Sequence, residues 1–153
     1  MANVYSQISM QLVFSVRNRN ALILPEFRET LHKYMGGILV NQSHKPLAIN
    51  SMPDHIHIFF SMNPNCNLSH LVRDLKSDTS AFINKNKLSR YKFNWQEGYG
   101  VFSYSISHRS RVINYIDNQQ IHHKKRTFRE EYLDILKKFE IEFEEKYVFE
   151  FFD

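Results

Sequence analysis

Apolar and polar residues alternate along residues 6–17, with isoleucine, methionine, leucine, phenylalanine and valine at every second position. A period of two predicts a strand that buries one face and exposes the other. The spacing then changes to that of a helix. We expect this helix to begin at Pro25, because proline suits the first helical turn, and to end at Gly36-Gly37, because glycine stops a helix.

The rest of the chain predicts three more strands and three more helices. A tight turn at 51–54 separates the second strand from the third, Ser69 caps the second helix, and residues 127–130 form a capping box for the last helix. The remaining predicted elements are strand 38–49 (interrupted near 43–46), strand 55–62, a helix from 69, strand 101–106, a helix from 107–110 to about 123, and a helix from 127.

The order strand, helix, strand, strand, helix, strand, followed by helices, predicts the fold class. It is α+β, with a ferredoxin-like split βαβ antiparallel sheet and C-terminal helices. We find no internal repeat, low-complexity tract or linker, and therefore expect residues 1–153 to form one domain.

Composition restricts the class of protein without indicating its activity. Hydrophobic residues make up 42% of the 153 residues and aromatic residues 14%, which excludes a disordered chain. No apolar run is long enough to span a bilayer, and the first residues do not resemble a signal peptide. Cys66 is the only cysteine, which fits a reducing cytoplasm, where we expect the protein. The formal net charge of +4 favours a polyanionic partner only weakly.

Two histidines separated by one residue are the first candidates for chemistry. His55 and His57 lie on the predicted third strand, where residues i and i+2 project from the same face. Two imidazoles held close together form half of a metal site. Asp54 either orients one ring or serves only the turn. An isolated His-x-His is more often a hydrogen-bonded pair, so the spacing alone leaves both interpretations open.

Tyr115 and Gln119 are the second pair of candidates. They lie four residues apart on a predicted helix and so share one of its faces. An apolar stripe beside Tyr115 would dock this helix, so the tyrosine is either a residue at the edge of the core or a nucleophile. If the helix packs near the two histidines, the amide oxygen of Gln119 suits Mg²⁺ or Mn²⁺ as a further ligand.

Together these residues resemble the single-tyrosine transposases of single-strand insertion sequences, which are HUH endonucleases, and their relatives associated with repetitive palindromes. His55-Ile56-His57, after Met52-Pro53-Asp54, matches the His-hydrophobe-His signature, and Tyr115-x-x-x-Gln119 matches the tyrosine motif. Leu75-Lys76-Ser77, residues 95–100 and residues 119–123 add to a similarity that runs over nearly the whole chain. Ser51 departs from the pattern, where relatives often have glycine, and affects only the turn.

The resemblance implies a DNA transposase that cleaves and rejoins single-stranded DNA at hairpin-marked ends without ATP, through a 5′-phosphotyrosine. It implies that His55, His57 and Gln119 bind Mg²⁺ or Mn²⁺ and that Tyr115 attacks. It also implies a homodimer, in which the tyrosine is often delivered to the partner's metal site. The sequence offers no convincing general base, because His122 and His123 fit the end of a helix, where positive charge is favourable.

Several basic residues near these motifs are candidates for salt-sensitive DNA contacts. They are Arg73, Lys76, Arg109, Arg111, Lys124, Lys125 and Arg126. Trp95, Tyr99 and Phe102 could stack unpaired bases, although core packing is the more common role for each.

Two other functions compete with that of a transposase. One is a domesticated relative that nicks hairpins without moving an element. The other is a non-catalytic nucleic-acid-binding module, which would need exposed aromatic residues on its central strands. The histidines on the third strand disfavour that second alternative.

Overall fold

Four antiparallel strands and five helices make up the computed structural model, which describes residues 3–152. The strand order is β2-β3-β1-β4, which is that of the ferredoxin-like split βαβ fold and confirms the predicted fold class. The elements are β1 (Ser9–Ser15), α1 (Pro25–Asn41), β2 (Lys45–Met52), β3 (His55–Ser61), α2 (Leu68–Lys85), β4 (Gly100–Tyr104), α3 (Arg109–Asp117), α4 (Gln119–His122) and α5 (Phe128–Lys138), with single 3₁₀ turns at Ile106–His108 and Glu145–Tyr147.

One face of the sheet forms the main hydrophobic core with α1 and α2. Ile56, Ile58 and Phe60 of β3 are completely buried on this face, as the alternation of the strand predicts. The buried residues of α1 recur at every fourth position, which places them on a single stripe. They are Phe27, Leu31, Met35 and Leu39.

Helix α1 continues through Gly36-Gly37, where the sequence predicted its end. It extends to Asn41, and β2 therefore begins at Lys45 rather than near residue 38. Each glycine disfavours a helix interior by roughly 1 kcal/mol, but burial of Leu39 contributes about 2 kcal/mol in the opposite direction. A Cβ on Gly36 would lie 3.8 Å from Ile49 Cδ1, so the glycine also lies where α1 packs on β2.

Strand β1 is buried on both faces, whereas its alternation predicted one exposed face. Ser9, Gln11 and Ser15, on its polar side, are each 1% exposed. The cause is that α3, α4 and α5 cover this second face of the sheet. Its polar side chains therefore make hydrogen bonds within the protein, as when Ser15 Oγ donates to the Asp54 carbonyl at 2.8 Å. The histidines of β3 lie on this same covered face.

The predicted helix ending near residue 123 is divided at Asn118 into α3 and α4. Asn118 has φ −103° and ψ 22°, outside the helical region, and its side-chain amide donates to the Asn114 carbonyl at 2.8 Å. Asparagine competes for backbone groups in this way and disfavours a helix interior. Tyr115 and Gln119 therefore do not share the face of one continuous helix.

Two helix caps were also predicted from the sequence. The cap of α2 is Asn67 rather than Ser69, because the Asn67 side chain accepts the His70 backbone N–H at 3.2 Å. The cap of α5 is Thr127, as predicted, and its hydroxyl accepts the Glu130 N–H at 3.2 Å. Among residues 3–152, no helix is both long and apolar enough to span a bilayer.

Candidate active site

His55 and His57 lie side by side on β3 with their rings completely buried and their centroids 5.1 Å apart. Each ring is held at its Nδ1 atom. His55 Nδ1 lies 2.7 Å from Asp54 Oδ1, and His57 Nδ1 lies 2.8 Å from Gln11 Nε2. Asp54 therefore serves both the turn and the orientation of a ring. Both histidines direct Nε2 toward the same point. The Asp54 carboxylate accepts from His55 Nδ1, as for a metal-binding histidine, whereas His57 Nδ1 accepts from the Gln11 amide, so that metal binding at His57 Nε2 would release a proton.

Glu131 of α5 lies at that point, and the sequence analysis did not identify it. Its Oε1 is 3.1 Å from His57 Nε2 and 3.3 Å from His55 Nε2. The same oxygen is 3.1 Å from His123 Nε2. The side chain is completely buried. One feature of the sequence could have indicated Glu131, because this acidic residue lies on the apolar face of the last helix, one turn after Phe128.

Tyr115 and Gln119 both reach Glu131 from the other side. The Tyr115 hydroxyl donates to Glu131 Oε2, and Gln119 Nε2 donates to the same oxygen at 3.0 Å. Gln119 Oε1 lies 3.4 Å from His55 Nε2. The Tyr115 and His57 rings are 6.3 Å apart. The structure thus brings together the four residues predicted from sequence, within one chain and around a fifth.

The charges of the buried groups depend on one another. Burial alone would raise the pKa of the Glu131 carboxyl, but His57, His123 and His55 hold that pKa well below its usual range. Burial opposes the charged form of His55 too, yet Asp54 and Glu131 more than offset it and raise the pKa of His55 to about 8. For His57 burial dominates, and its pKa is lowered although Glu131 acts in the other direction.

Tyr115 has a hydroxyl that resists ionisation. Burial, followed by the negative charge of Glu131, raises the pKa of Tyr115 above its ordinary value, and the opposing effect of Arg126 is smaller. The phenol is therefore protonated at neutral pH in the environment that these residues provide. A nearby positive charge would be needed to make it a good nucleophile.

The donor set at this point fits a divalent cation. His55, His57 and Glu131 each offer one ligand atom, and these atoms lie within 4.8 Å of one another. Two imidazoles and a carboxylate suit several divalent ions, and the carboxylate oxygen makes the set better for Mn²⁺ or Mg²⁺ than imidazoles alone. The set differs from the predicted one in containing Glu131. Gln119 lies beside it as a further oxygen donor.

The candidate metal ligands are enclosed, whereas the tyrosine is accessible. His55, His57, Gln119 and Glu131 have no exposed surface, and the His55 ring stacks on Phe128 with centroids 3.8 Å apart. Tyr115 is partly exposed and lines a cavity. The tyrosine is therefore accessible from the cavity, whereas the imidazoles become accessible only if nearby side chains move.

The predicted DNA-binding residues divide into separate groups. Arg111, Lys125 and Arg126 line the cavity at Tyr115. Lys124 lines a second cavity at the loop between α4 and α5, and Lys125 and Arg126 line this cavity as well. Arg109 begins α3, with Nη2 3.5 Å from Ser9 Oγ. Of the predicted DNA-binding residues, only Arg111, Lys125 and Arg126 line the same cavity as Tyr115.

Arg73 and Lys76 lie elsewhere, in a cavity beside the 95–99 segment. Lys76 Nζ donates to the carbonyls of Gln96 at 2.8 Å and Gly98 at 2.6 Å, so it ties α2 to that segment. Burial lowers the pKa of Lys76 to about 8. This lysine therefore has a structural role, which leaves its ammonium little freedom to bind phosphate.

Of the three aromatic residues considered for base stacking, two belong to the core. Trp95 is 7% exposed and Phe102 is 2% exposed, and Trp95 Nε1 donates to Thr79 Oγ1 at 2.9 Å. Tyr99 is 36% exposed. Core packing thus accounts for Trp95 and Phe102.

Comparison with known proteins finds similarity to transposases, both in a family model and in an individual relative. Residues 4–119 match the family model described as transposase IS200 like. The chain is 22% identical to the ISDra2 transposase TnpA of Deinococcus radiodurans over 118 residues, which is 74% of this chain and 84% of that protein. The segment matched by the family model contains the two histidines of β3, Tyr115 and Gln119, and it ends before Glu131.

Two solved structures share the fold. One, described as a transposase from Deinococcus radiodurans R1, is 18% identical with a TM-score of 0.59, and the alignment covers 78% of this chain and 95% of that one. The other is a REP-associated tyrosine transposase bound to a REP hairpin, 15% identical with a TM-score of 0.59, covering 80% and 73% respectively. Since the family model matches most of its length, the chain belongs to the IS200-like transposase family.

Proposed function

We propose that this protein is a metal-dependent transposase that cleaves and rejoins single-stranded DNA at hairpin-marked element ends, with Tyr115 as its nucleophile. One observation above all supports the assignment of residues. The Tyr115 hydroxyl and the Nε2 atoms of His55 and His57 all contact one buried carboxylate, that of Glu131. Family membership supplies the class of reaction, and this convergence supplies the candidate atoms.

We infer that His55, His57 and Glu131 would hold Mg²⁺ or Mn²⁺, with Gln119 as a further donor. When bound, the cation would offset the negative charge of the scissile phosphate and of the developing phenolate. Asp54 accepts from His55 Nδ1 and so leaves His55 Nε2 free to ligate, and the Gln11 amide fixes the position of the His57 ring through its Nδ1 atom. The carboxylate of Glu131 gives the ligand set a negative charge. This set should therefore bind a divalent cation more strongly than the neutral set of two histidines and a glutamine that the sequence predicted.

Tyr115 performs the covalent step in this proposal. Its phenolic oxygen attacks the phosphorus, the P–O bond to the 3′ oxygen breaks, and the products are a 5′-phosphotyrosine and a free 3′-OH. Glu131 Oε2 accepts the hydrogen bond of the phenol and so fixes the position of the attacking oxygen. Because the pKa of Glu131 lies well below its usual range, the phenolic proton passes to solvent water rather than to this carboxylate, and the released 3′ oxygen takes up a proton from solvent. The covalent link conserves the energy of the phosphodiester, so a second 3′-OH can reverse the step and rejoin the strand.

The residues of one chain are sufficient for this site. The resemblance to the family implied that the tyrosine is often delivered to a partner's metal site, whereas here Tyr115 reaches the histidines of its own chain. We therefore propose assembly in cis. A homodimer and a single domain over residues 1–153 remain part of the proposal, but the chemistry does not require a second subunit.

The proposed substrate is a DNA hairpin with an adjoining single strand. A relative of the same fold was solved bound to a REP hairpin. In this chain Arg111, Lys125 and Arg126 surround Tyr115 and could neutralise the phosphates next to the scissile bond. An in-line attack also needs a backbone that is free to splay, which single strands provide and uninterrupted duplex does not.

The test is cleavage of hairpin DNA taken from the flanks of the protein's own gene. We expect cleavage with Mn²⁺ or Mg²⁺, none in EDTA, and recovery when the metal is restored. His57→Ala should lower the rate by at least tenfold, because it removes one ligand. Cleavage that continues unchanged in EDTA would contradict the metal assignment, and equal cleavage of blunt duplex would contradict the substrate.

A further inference from the structure

A cavity of about 610 Å³ opens beside Tyr115, between α3, the loop that follows α4, and the end of α5. Its floor is apolar and consists of Val112, Ile135 and the ring of Phe139. Phe139 is 36% exposed, which is high for a phenylalanine next to a core. The volume of the cavity lies within the range of pockets that bind small organic groups, roughly 300–1,000 Å³.

The rim of this cavity is positively charged. Arg111, Lys125, Arg126 and Lys138 line it, and no acidic residue does within the part of the chain that the structure describes. Two acids contact lining residues from outside the lining. Glu131 accepts the hydrogen bond of the Tyr115 hydroxyl, and Asp134 is 3.5 Å from Arg126 and 3.6 Å from Lys138. An apolar floor under a cationic rim matches a ligand that has a flat uncharged body and an anionic backbone.

We propose that this cavity binds the unpaired nucleobase of the nucleotide adjoining the scissile phosphate. The proposal rests on the proposed function, because Tyr115 must attack that phosphate. Unpaired bases stack on aromatic side chains while lysine and arginine neutralise the neighbouring phosphates. Tyr115 lines the cavity, and its ring stacks on His122 with centroids 4.6 Å apart. The nucleotide at the scissile bond is therefore the one whose base reaches the Phe139 floor.

The polar end of the cavity leads to the metal ligands. Tyr104 and Gln11 line it there. The Tyr104 hydroxyl donates to Gln11 Oε1 at 2.8 Å, and Gln11 Nε2 is 2.8 Å from His57 Nδ1. A base in the cavity would contact Gln11, which holds His57, and Tyr104, which holds Gln11. Filling the subsite would thereby fix the nucleotide next to both the nucleophile and the candidate metal centre.

A scan of abasic substrates tests this subsite without altering the protein. The cleavage position is mapped first. The two nucleotides before it and the two after it are then replaced, one at a time, by an abasic residue, and each substrate is assayed with wild-type protein and Mn²⁺. We expect one position to raise KM by about tenfold, as the loss of one stacked base should. The other positions should change KM by less than about threefold.

Phe139→Ala identifies the cavity as the place where the base binds. On the intact substrate, Phe139→Ala should raise KM by about as much as the sensitive abasic position does. On the sensitive abasic substrate the same variant should raise KM little further, because the base that Phe139 would contact is absent. Tyr147→Ala, at an aromatic residue that is 76% exposed and outside the cavity, should match wild type on every substrate.

The possible results distinguish failure of the proposed base-binding subsite from failure of the proposed function. Normal cleavage with an unchanged KM at every abasic position would overturn the subsite and leave the proposed function intact. Additive losses from Phe139→Ala and the sensitive abasic position would place the base elsewhere and also overturn it. No cleavage or adduct with the intact substrate would overturn both proposals.

Discussion

The hydroxyl of Tyr115 donates a hydrogen bond to the carboxylate of Glu131, although the two residues belong to different helices. This contact joins the candidate nucleophile to a carboxylate that also touches both histidines of β3. Glu131 lies outside the segment matched by the family model, which ends at residue 119. In the proposed function, α5 therefore contributes to the chemistry as well as to the fold.

Replacing Glu131 by Gln should weaken Mn²⁺ binding by at least tenfold, because the change removes a negative ligand while keeping the shape of the side chain. Glu130→Gln is the matched control, since Glu130 is the exposed neighbour on the same helix and its change should leave affinity unaltered. Titration calorimetry with Mn²⁺ alone measures both variants without any DNA. Equal affinities for Glu131→Gln and wild type would remove Glu131 from the ligand set.

Replacing Tyr115 by Phe should abolish cleavage while leaving the affinity for hairpin DNA within about threefold, because phosphate contacts and hairpin shape supply most of the affinity. The ring and its stack on His122 are kept. Loss of the hydroxyl leaves Glu131 with one donor fewer, so the free energy of unfolding should fall by about 1–2 kcal/mol. Gel shift and urea unfolding measure the two effects separately. A large loss of hairpin affinity would indicate that the hydroxyl serves binding rather than attack.

Mixing two inactive variants distinguishes cis from trans assembly. If each chain uses its own tyrosine, Tyr115→Phe mixed with His57→Ala should remain inactive, because no chain in the mixture holds both groups. Recovery toward about a quarter of wild-type cleavage would show that one subunit donates its tyrosine to the other, since half of the dimers in an equal mixture are mixed and each has one intact composite site. Co-purification with two different tags verifies that mixed oligomers, where oligomers form, are present in the assay.

The imidazole ring of His32, on α1, should make the protein less stable in mild acid. Its Nε2 lies 2.7 Å from Ser51 Oγ, and burial, followed by the positive charge of Arg28, lowers the pKa of His32 to about 4. Between pH 6.5 and about 4 the unfolded chain therefore binds a proton that the folded chain does not. The stabilisation is present above the unfolded pKa and is lost as the pH falls toward the folded one.

Urea unfolding at pH 7 and pH 5 measures this effect. Wild type should lose about 2 kcal/mol more than His32→Gln between the two values, since one pKa unit corresponds to about 1.4 kcal/mol. Glutamine can still donate to Ser51, so the comparison isolates the titration of the ring. Equal losses in both proteins would show that His32 titrates normally.

Local patterns predicted the parts of the site that depend on short spacing. His55 and His57 are two residues apart on a strand, and the period of the strand fixes them on one face. Tyr115 and Gln119 were predicted to share one face of a continuous helix, but the chain breaks at Asn118. Both side chains nevertheless reach the same oxygen of Glu131. These predictions depended on residues that are close in sequence.

Glu131 could not be predicted in the same way. It is 74 residues from His57 in sequence, and no spacing rule relates the last helix to the third strand. The helix through Gly36-Gly37 and the two buried faces of β1 were missed for a similar reason. In each case tertiary packing of a distant element outweighed the local preference.

The most direct test of the account is to identify the residue that becomes linked to DNA. Wild-type protein is incubated with the hairpin substrate and Mn²⁺, the denatured adduct is digested, and the modified peptide is sequenced by mass spectrometry. The account predicts a 5′-phosphorylated nucleotide on Tyr115, absent from Tyr115→Phe and from reactions in EDTA. An adduct on Tyr99, Tyr104 or Tyr132 would contradict it.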